Sequence, residues 1–141
     1  MRLRVLAVGK LKDVGLEKAC EEYVKRSRSF LPIDRRALRT NDAVLDEART
    51  SCGRIVVLDE RGEQPTSDEF ATWLRTWRDQ GVRAVAFAIG DAHGFADPHR
   101  DAADKVMGLS RLTLPHRFAQ AMLCEQLYRA GTILAGHPYH H

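Results

Sequence analysis

Four stretches of this chain bring together side chains that can do chemistry. The final five positions, His137-Pro138-Tyr139-His140-His141, are dense in polar aromatics. Such groups stack on nucleotide bases, touch phosphates and move protons near neutral pH. Carboxylate and cysteine partners are not evident beside them, so no metal site is expected. Gly90-Asp91-Ala92-His93-Gly94 follows an apolar run from Ala84 to Ile89. Glycine at a strand exit allows a tight turn and close approach of backbone to a ligand. The stretch has neither the Gly-Lys-Ser/Thr close of a phosphate loop nor the G-x-G of a dinucleotide fingerprint. Leu58-Asp59, followed by Arg61-Gly62, is another strand exit. Asp59 there can receive a ribose hydroxyl or cap a turn, and the cap is the commoner use. Leu109-Ser110-Arg111-Leu112-Thr113-Leu114 interleaves apolar and polar residues and stops at Pro115. A loop of that kind can offer backbone donors and acceptors to an adenine edge while its leucines pack the faces. The same pattern also suits a buried strand end.

These stretches need a scaffold, and hydrophobic periodicity supplies one. Arg2 to Val8 alternates charged and apolar residues and reads as a strand. Val14 to Ser29 reads as a helix with Leu16, Ala19, Cys20, Tyr23 and Val24 on one face. Ile33 to Arg39 is a polar edge strand, and Asp42 to Cys52 is a helix closed by Gly53. Arg54 to Asp59 is a buried strand, with a turn from Glu60 to Pro65. Thr66 to Glu69 has the pattern of a capping box, which opens a helix with Phe70, Trp73, Leu74 and Trp77 as its core stripe. Ala84 to Ile89 is a second buried strand. A helix over 97–106, a short strand over 109–114 and a last helix over 118–134 complete the expectation. The last helix is apolar on more than one side, so it is buried in the fold or shared with a second copy. Strands alternate with helices and the central strands are nearly all apolar. That pattern predicts one α/β domain over residues 1–141, a mainly parallel sheet covered on both faces. Ligands of such sheets bind beyond the carboxyl ends of the strands, where three of the four stretches fall.

With 141 residues, 44% of them hydrophobic and 29% charged, the chain can bury a real core. No apolar run approaches the roughly 20 residues of a membrane span. The opening residues read as a strand and not as a secretory leader, so a cytoplasmic protein is expected. The scattered Cys20, Cys52 and Cys124 read as free thiols, mostly buried. The net charge of +3 is unevenly spread: residues 1–40 hold 11 Lys and Arg against 5 Asp and Glu, the middle is acidic, and residues 105–141 are basic again. If the two ends meet, they make one basic face for a polyanion.

Taken in order, Leu58-Asp59-Glu60-Arg61-Gly62, Ile89-Gly90 with Gly94, the run Leu109 to His116 (LSRLTLPH), Glu125 to Ala130 (EQLYRA) and His137 to His140 (HPYH) resemble the RlmH family of the SPOUT superfamily. The likeness covers the whole chain, including the opening strand that ends in Ala7-Val8-Gly9-Lys10. It implies an α/β knot, with the C-terminal part threaded into a deep trefoil. It implies S-adenosylmethionine as cofactor, held by Leu58, Gly90, Leu109, Ser110, Arg111, Leu112, Thr113 and Leu114. It implies methylation at N3 of a pseudouridine in large-subunit ribosomal RNA within an assembled ribosome, by a homodimer that uses no metal and no membrane. His137, Tyr139 and His140 are then expected near the target base, as catalytic groups. Two positions depart from the family's pattern: Asp91 stands where a second glycine is usual, and His141 where Arg or Lys often follows. Apart from the likeness, a non-catalytic RNA- or nucleotide-binding α/β module is the alternative.

Overall fold

The computed structural model describes residues 1–140, with the side chain of His140 and the whole of His141 outside the described residues. Five strands form one sheet: β1 (Arg2–Val8), β2 (Ile33–Leu38), β3 (Arg54–Glu63), β4 (Ala84–Ile89) and β5 (Lys105–Met107). Every pairing is parallel and the spatial order is β2-β1-β4-β3-β5. Five helices connect and cover them: α1 (Val14–Ser27), α2 (Asn41–Ser51), α3 (Ser67–Asp79), α4 (Asp97–Asp101) and α5 (His116–Ala135).

Alternation along the central strands assigns the helices to faces. Val85, Phe87 and Ile89 join Leu3, Val5 and Val56 against Cys20 of α1, Leu74 of α3, and Leu123 and Leu127 of α5. Ala86 and Ala88 face the other way, onto Val44, Leu45 and Ala48 of α2. Each fully buried leucine contributes about 1.5–3 kcal/mol relative to an exposed one. Both faces are therefore dry, as near-continuous apolar strands require. Trp77 is buried and Trp73 packs against the same core, so the tryptophan stripe serves the core as expected.

Local signals hold at most boundaries. Asp13, Thr40 and Thr66 each accept a hydrogen bond from the third backbone N–H beyond them, so all three cap helices. The box at Thr66 is reciprocal, since Glu69 accepts from the Thr66 N–H at 3.0 Å. Cys20 and Cys124 are buried free thiols and Cys52 is half-buried.

Two regions differ from the expectation. The helix after Ala96 stops at Asp101 and does not run to 106. Asp104 ends it by joining the sheet: its N–H donates to the Ile55 carbonyl at 2.9 Å, and its carboxylate accepts from the Ile55 N–H at 2.8 Å. The last strand is consequently Lys105–Met107, and residues 109–114 are loop. The second difference is β3, which continues to Glu63 through the stretch expected to be a turn. Leu58 and Glu63 both stand opposite Met107, so residues 59–62 bulge from the ladder.

Candidate functional site

The carboxyl ends of β3, β4 and β5 open into a cleft of about 370 Å³. That volume lies in the range of small-molecule and cofactor sites. Leu58 lines it from β3, Gly90 from the exit of β4, and Leu109, Ser110, Leu112, Thr113 and Leu114 from the loop after β5. Seven of the eight expected cofactor contacts thus share one cavity. Arg111 is exposed and does not line it. The residues expected to alternate in a strand alternate instead along a cleft wall. Among the described residues no strand lies beyond β5 for them to pair with.

This wall carries unused hydrogen-bonding capacity. Among the described residues, of the amides from Leu109 to Leu114 only that of Leu112 has a partner, the Ser110 hydroxyl at 2.9 Å. Residues 111–113 are exposed, so these amides face solvent and can be taken up by a ligand with a planar hydrogen-bonding edge. Opposite lies the β4 exit, where a Cβ on Gly90 would come 3.1 Å from Asn41 Oδ1 and 3.3 Å from the Phe95 ring. Asp59, Glu60 and Asp91 stand on the lining against one cation, Arg61, a net acidic balance that suits a ligand bearing positive charge. An apolar trough with a backbone edge and acidic rim fits S-adenosylmethionine, an adenine nucleoside carrying a sulfonium.

The rim is held by side chains that local sequence reading passed over. Asn41, the first residue of α2, accepts from the Asp91 N–H at 2.9 Å and donates to the Gly94 carbonyl at 2.9 Å. His99 Nε2 lies 2.7 Å from the Asp42 carboxylate, and His99 Nδ1 accepts from the Ala96 N–H. Arg100 joins Asp59 at 3.1 Å and the Phe95 carbonyl, and it also pairs with Asp97. The loop after β4 is thereby tied both to α2 and to the exit of β3. Asp59 uses its other oxygen to accept from the Arg61 N–H at 2.9 Å, so it caps the turn. Asp91 caps its own turn by accepting from the His93 N–H. Its backbone is not left-handed; within this loop only Gly94 is, at φ 75°. An aspartate is therefore tolerated at 91. Replacing Asn41 with Ala is expected to lower stability by about 1 kcal/mol, the scale of losing hydrogen bonds that are only partly buried. Amide hydrogen exchange at Asp91 should accelerate with it, and unchanged exchange there would show that the loop is held by other contacts.

His116 opens α5 at the inner end of the cleft. Its Nε2 is buried without a hydrogen-bond partner. A buried unsatisfied nitrogen costs about 1–3 kcal/mol, which marks it as a group awaiting a partner.

His137 and Tyr139 lie elsewhere. α5 has 20 residues, about 30 Å at 1.5 Å per residue, and it separates the cleft at its start from the tail beyond its end. Gly136, left-handed at φ 71°, closes the helix and turns the chain back onto it. The Tyr139 ring sits 4.5 Å from that of Tyr128, and its hydroxyl donates to Glu125 at 3.1 Å. The His137 ring meets Phe30 edge-on at 5.5 Å. Burial, then a hydrogen bond with Tyr23 and the neighbouring Glu125, pushes the Tyr139 phenol above its ordinary value. It therefore stays protonated, a donor rather than a base. Among the described residues, none of the tail lines the cleft within one chain.

Comparison with known proteins agrees with this geometry. Residues 1–140 match the model of a family described as predicted SPOUT methyltransferase. A protein of Geobacter sulfurreducens, ribosomal RNA large subunit methyltransferase H, is 41% identical over 153 aligned positions, covering 100% of both chains. One of the same name from Koribacter versatilis is 38% identical, covering 99% of this chain and 98% of its own. Among solved structures, a probable methylase family protein from Haemophilus influenzae superposes with TM-score 0.61 at 10% identity, over 95% of this chain and 66% of its own. The SpoU methyltransferase AviRb from Streptomyces viridochromogenes, solved in complex with AdoMet, gives 0.51 at 15% identity, over 92% and 57%. At such identities these two speak for the fold alone. Among the described residues no helix is long and apolar enough to cross a membrane, and no three side chains gather as a metal site.

Proposed function

The chain belongs to the SPOUT methyltransferase family, and from that premise we propose that it methylates N3 of a pseudouridine in large-subunit ribosomal RNA. The methyl donor is S-adenosylmethionine, the substrate is the assembled ribosome in the cytoplasm, and the working form is a homodimer. The observation that carries the reading is the single cleft into which Leu58, Gly90 and the 109–114 loop converge. The relatives' name supplies the RNA, and the resemblance supplies the nucleotide.

The cofactor, when bound, supplies an electrophilic methyl group on a positively charged sulfur. The protein's own part is positioning and exclusion of water, which in well-oriented systems amount to effective molarities of about 10⁵–10⁸ M. The amides of 109–114 would hold the adenine edge, leucines 58, 109 and 114 would cover the ring, and the acidic rim would favour the cationic end. The imide proton at N3 must leave for the nitrogen to attack. His137 or His140 takes it, directly or through water, while Tyr139, whose hydroxyl donates to Glu125, offers its ring beside the base. The tail that does this belongs to the second subunit, because a chain's own tail lies a helix length from its own cleft. Phe118 and Met122, 43% and 38% exposed one turn apart on α5, offer the apolar surface for that partner. The C-terminal part threads through a loop of the chain into a trefoil, as the resemblance to the family implies.

A thermal-shift titration with S-adenosylhomocysteine tests the cofactor assignment. Ligand at 100-fold its dissociation constant should stabilise the fold by about 2.7 kcal/mol. Ribosomes lacking the modification should then take label from the methyl-labelled cofactor into large-subunit RNA. A folded protein that shows no shift would favour a non-catalytic binding module, and one that shifts but labels no RNA has another substrate.

A further inference from the structure

A second cleft, of about 440 Å³, lies beside the first. The turn after β1, residues 9–13, forms one side of it, and the start of α5 forms the other. His116 lines both clefts and is their common wall. We propose that this second cleft seats the phosphate backbone of the RNA substrate, gripped by Lys10, Lys12, Arg39 and Arg117. The inference rests on the methyltransferase reading and deepens it by giving the substrate strand a place.

Charge makes the first argument. Lys10, Lys12 and Arg117 line the cleft or its mouth, all exposed. Arg39 is brought alongside because Val8 pairs with Leu38 and the Gly9 N–H donates to the Leu38 carbonyl at 2.9 Å. Among the described residues none of the four takes part in an ion pair, whereas Arg4, Arg35 and Arg100 are all held by carboxylates. The carboxylate lining this cleft, Asp13, spends one oxygen capping α1. Three of these cations come from the basic first 40 residues and one from the basic last segment, so the two basic ends do meet here.

Position makes the second. The neighbouring cleft has an acidic rim at Glu60 and Asp91, which repels phosphate and favours a cationic donor. A strand lying along the basic cleft therefore stops short of the cofactor and presents a base across His116. The orphaned His116 Nε2 stands at that crossing, where a ribose hydroxyl, phosphate oxygen or base edge can satisfy it. Contacts of this kind position a nucleic acid without reading its sequence.

The test compares three proteins: the parent, Lys10→Gln/Lys12→Gln, and Arg75→Gln/Arg78→Gln. The last removes two exposed cations from α3, far from either cleft. Cosedimentation with unmodified ribosomes is measured from about 50 to 200 mM potassium chloride, together with methylation kinetics and affinity for S-adenosylhomocysteine. Each lost phosphate contact should reduce the salt slope by about 0.7–0.9. The Lys10/Lys12 variant should show a slope smaller by more than one and a KM for ribosomes raised about tenfold. Its kcat and S-adenosylhomocysteine affinity should match the parent, and the Arg75/Arg78 variant should match the parent in everything. An unchanged slope, or an equal loss in both variants, overturns the proposal. If the parent labels no RNA, the methyltransferase reading fails by itself, while the salt slopes, which need no turnover, still decide the cleft.

Discussion

Gly62→Ala is expected to destabilise the protein by about 3 kcal/mol or more, at or beyond the upper end for overpacking. A Cβ at this position would stand 2.4 Å from the Val106 carbonyl oxygen, 2.5 Å from its carbon and 2.6 Å from the Met107 nitrogen. These are backbone atoms of β5, which cannot swing aside as a side chain can. Gly62 does not have a positive φ, so its requirement is space and not conformational freedom. Gly108 reports the same close approach from the other side, since its Cβ would meet the Asp59 carbonyl at 3.2 Å. The bulge at 59–62 and the segment 106–108 are thus pressed backbone to backbone where the 109–114 wall begins. The unfolding midpoint in urea measures the effect. Gly53→Ala is the control, because its Cβ would meet Val82 Cγ1 at an ordinary 3.4 Å. If the two alanine variants unfold within about 0.5 kcal/mol of each other, the clasp contributes nothing special. Cofactor affinity should fall with stability in Gly62→Ala, because the cleft wall is the continuation of the clasped strand.

Removal of residues 137–141 is expected to lower methylation by a factor of about 10²–10⁴, the usual worth of a positioned proton-transfer group. Affinity for S-adenosylhomocysteine should be retained, since no described tail residue lines the cleft. Mixing the truncated protein with a cleft-blocked Thr113→Trp variant distinguishes one subunit from two. Thr113 is exposed on the cleft wall, so a bulky replacement can fill the cavity without disturbing the core. Each mixed dimer then pairs one intact cleft with one intact tail. In an isologous dimer random exchange restores about one quarter of the parent's activity. No recovery from two folded, exchanging partners would mean that each tail serves its own cleft. Sedimentation of a monomer at micromolar concentration would remove the shared site altogether.

Most of the scaffold was legible from residue patterns. The edge strand at 33–38, the buried strands at 54 and 84, the capped helix at 66 and the long last helix all stand within a few residues of expectation. Their signals are local: periodicity, caps and glycine stops act within a turn or two. Asp97 to Leu114 departs from its local pattern because Leu109, Leu112 and Leu114 carry a strand-like rhythm, while Lys105, Val106 and Met107 look like the end of a helix. Which of them joins the sheet depends on where β3 offers a free edge, and that edge lies some 50 residues back in the chain.

By itself, then, the sequence determined an α/β fold, the strand exit at Ile89 and the mixed polar and apolar character of residues 109–114, because alternation and strand-end glycines act over short range. The resemblance of its motifs pointed to the cofactor and the RNA. Only the tertiary structure decided that the 109–114 loop is a wall and not a strand, and that Asn41 holds the β4 exit from across the sheet. It alone set Gly62 against β5, put His116 between two clefts of opposite charge, and carried His137 and Tyr139 a helix length from the site they were expected to complete. Each of those facts is a contact between residues distant in the chain. Such contacts follow from strand order and helix length in three dimensions, which no local pattern encodes.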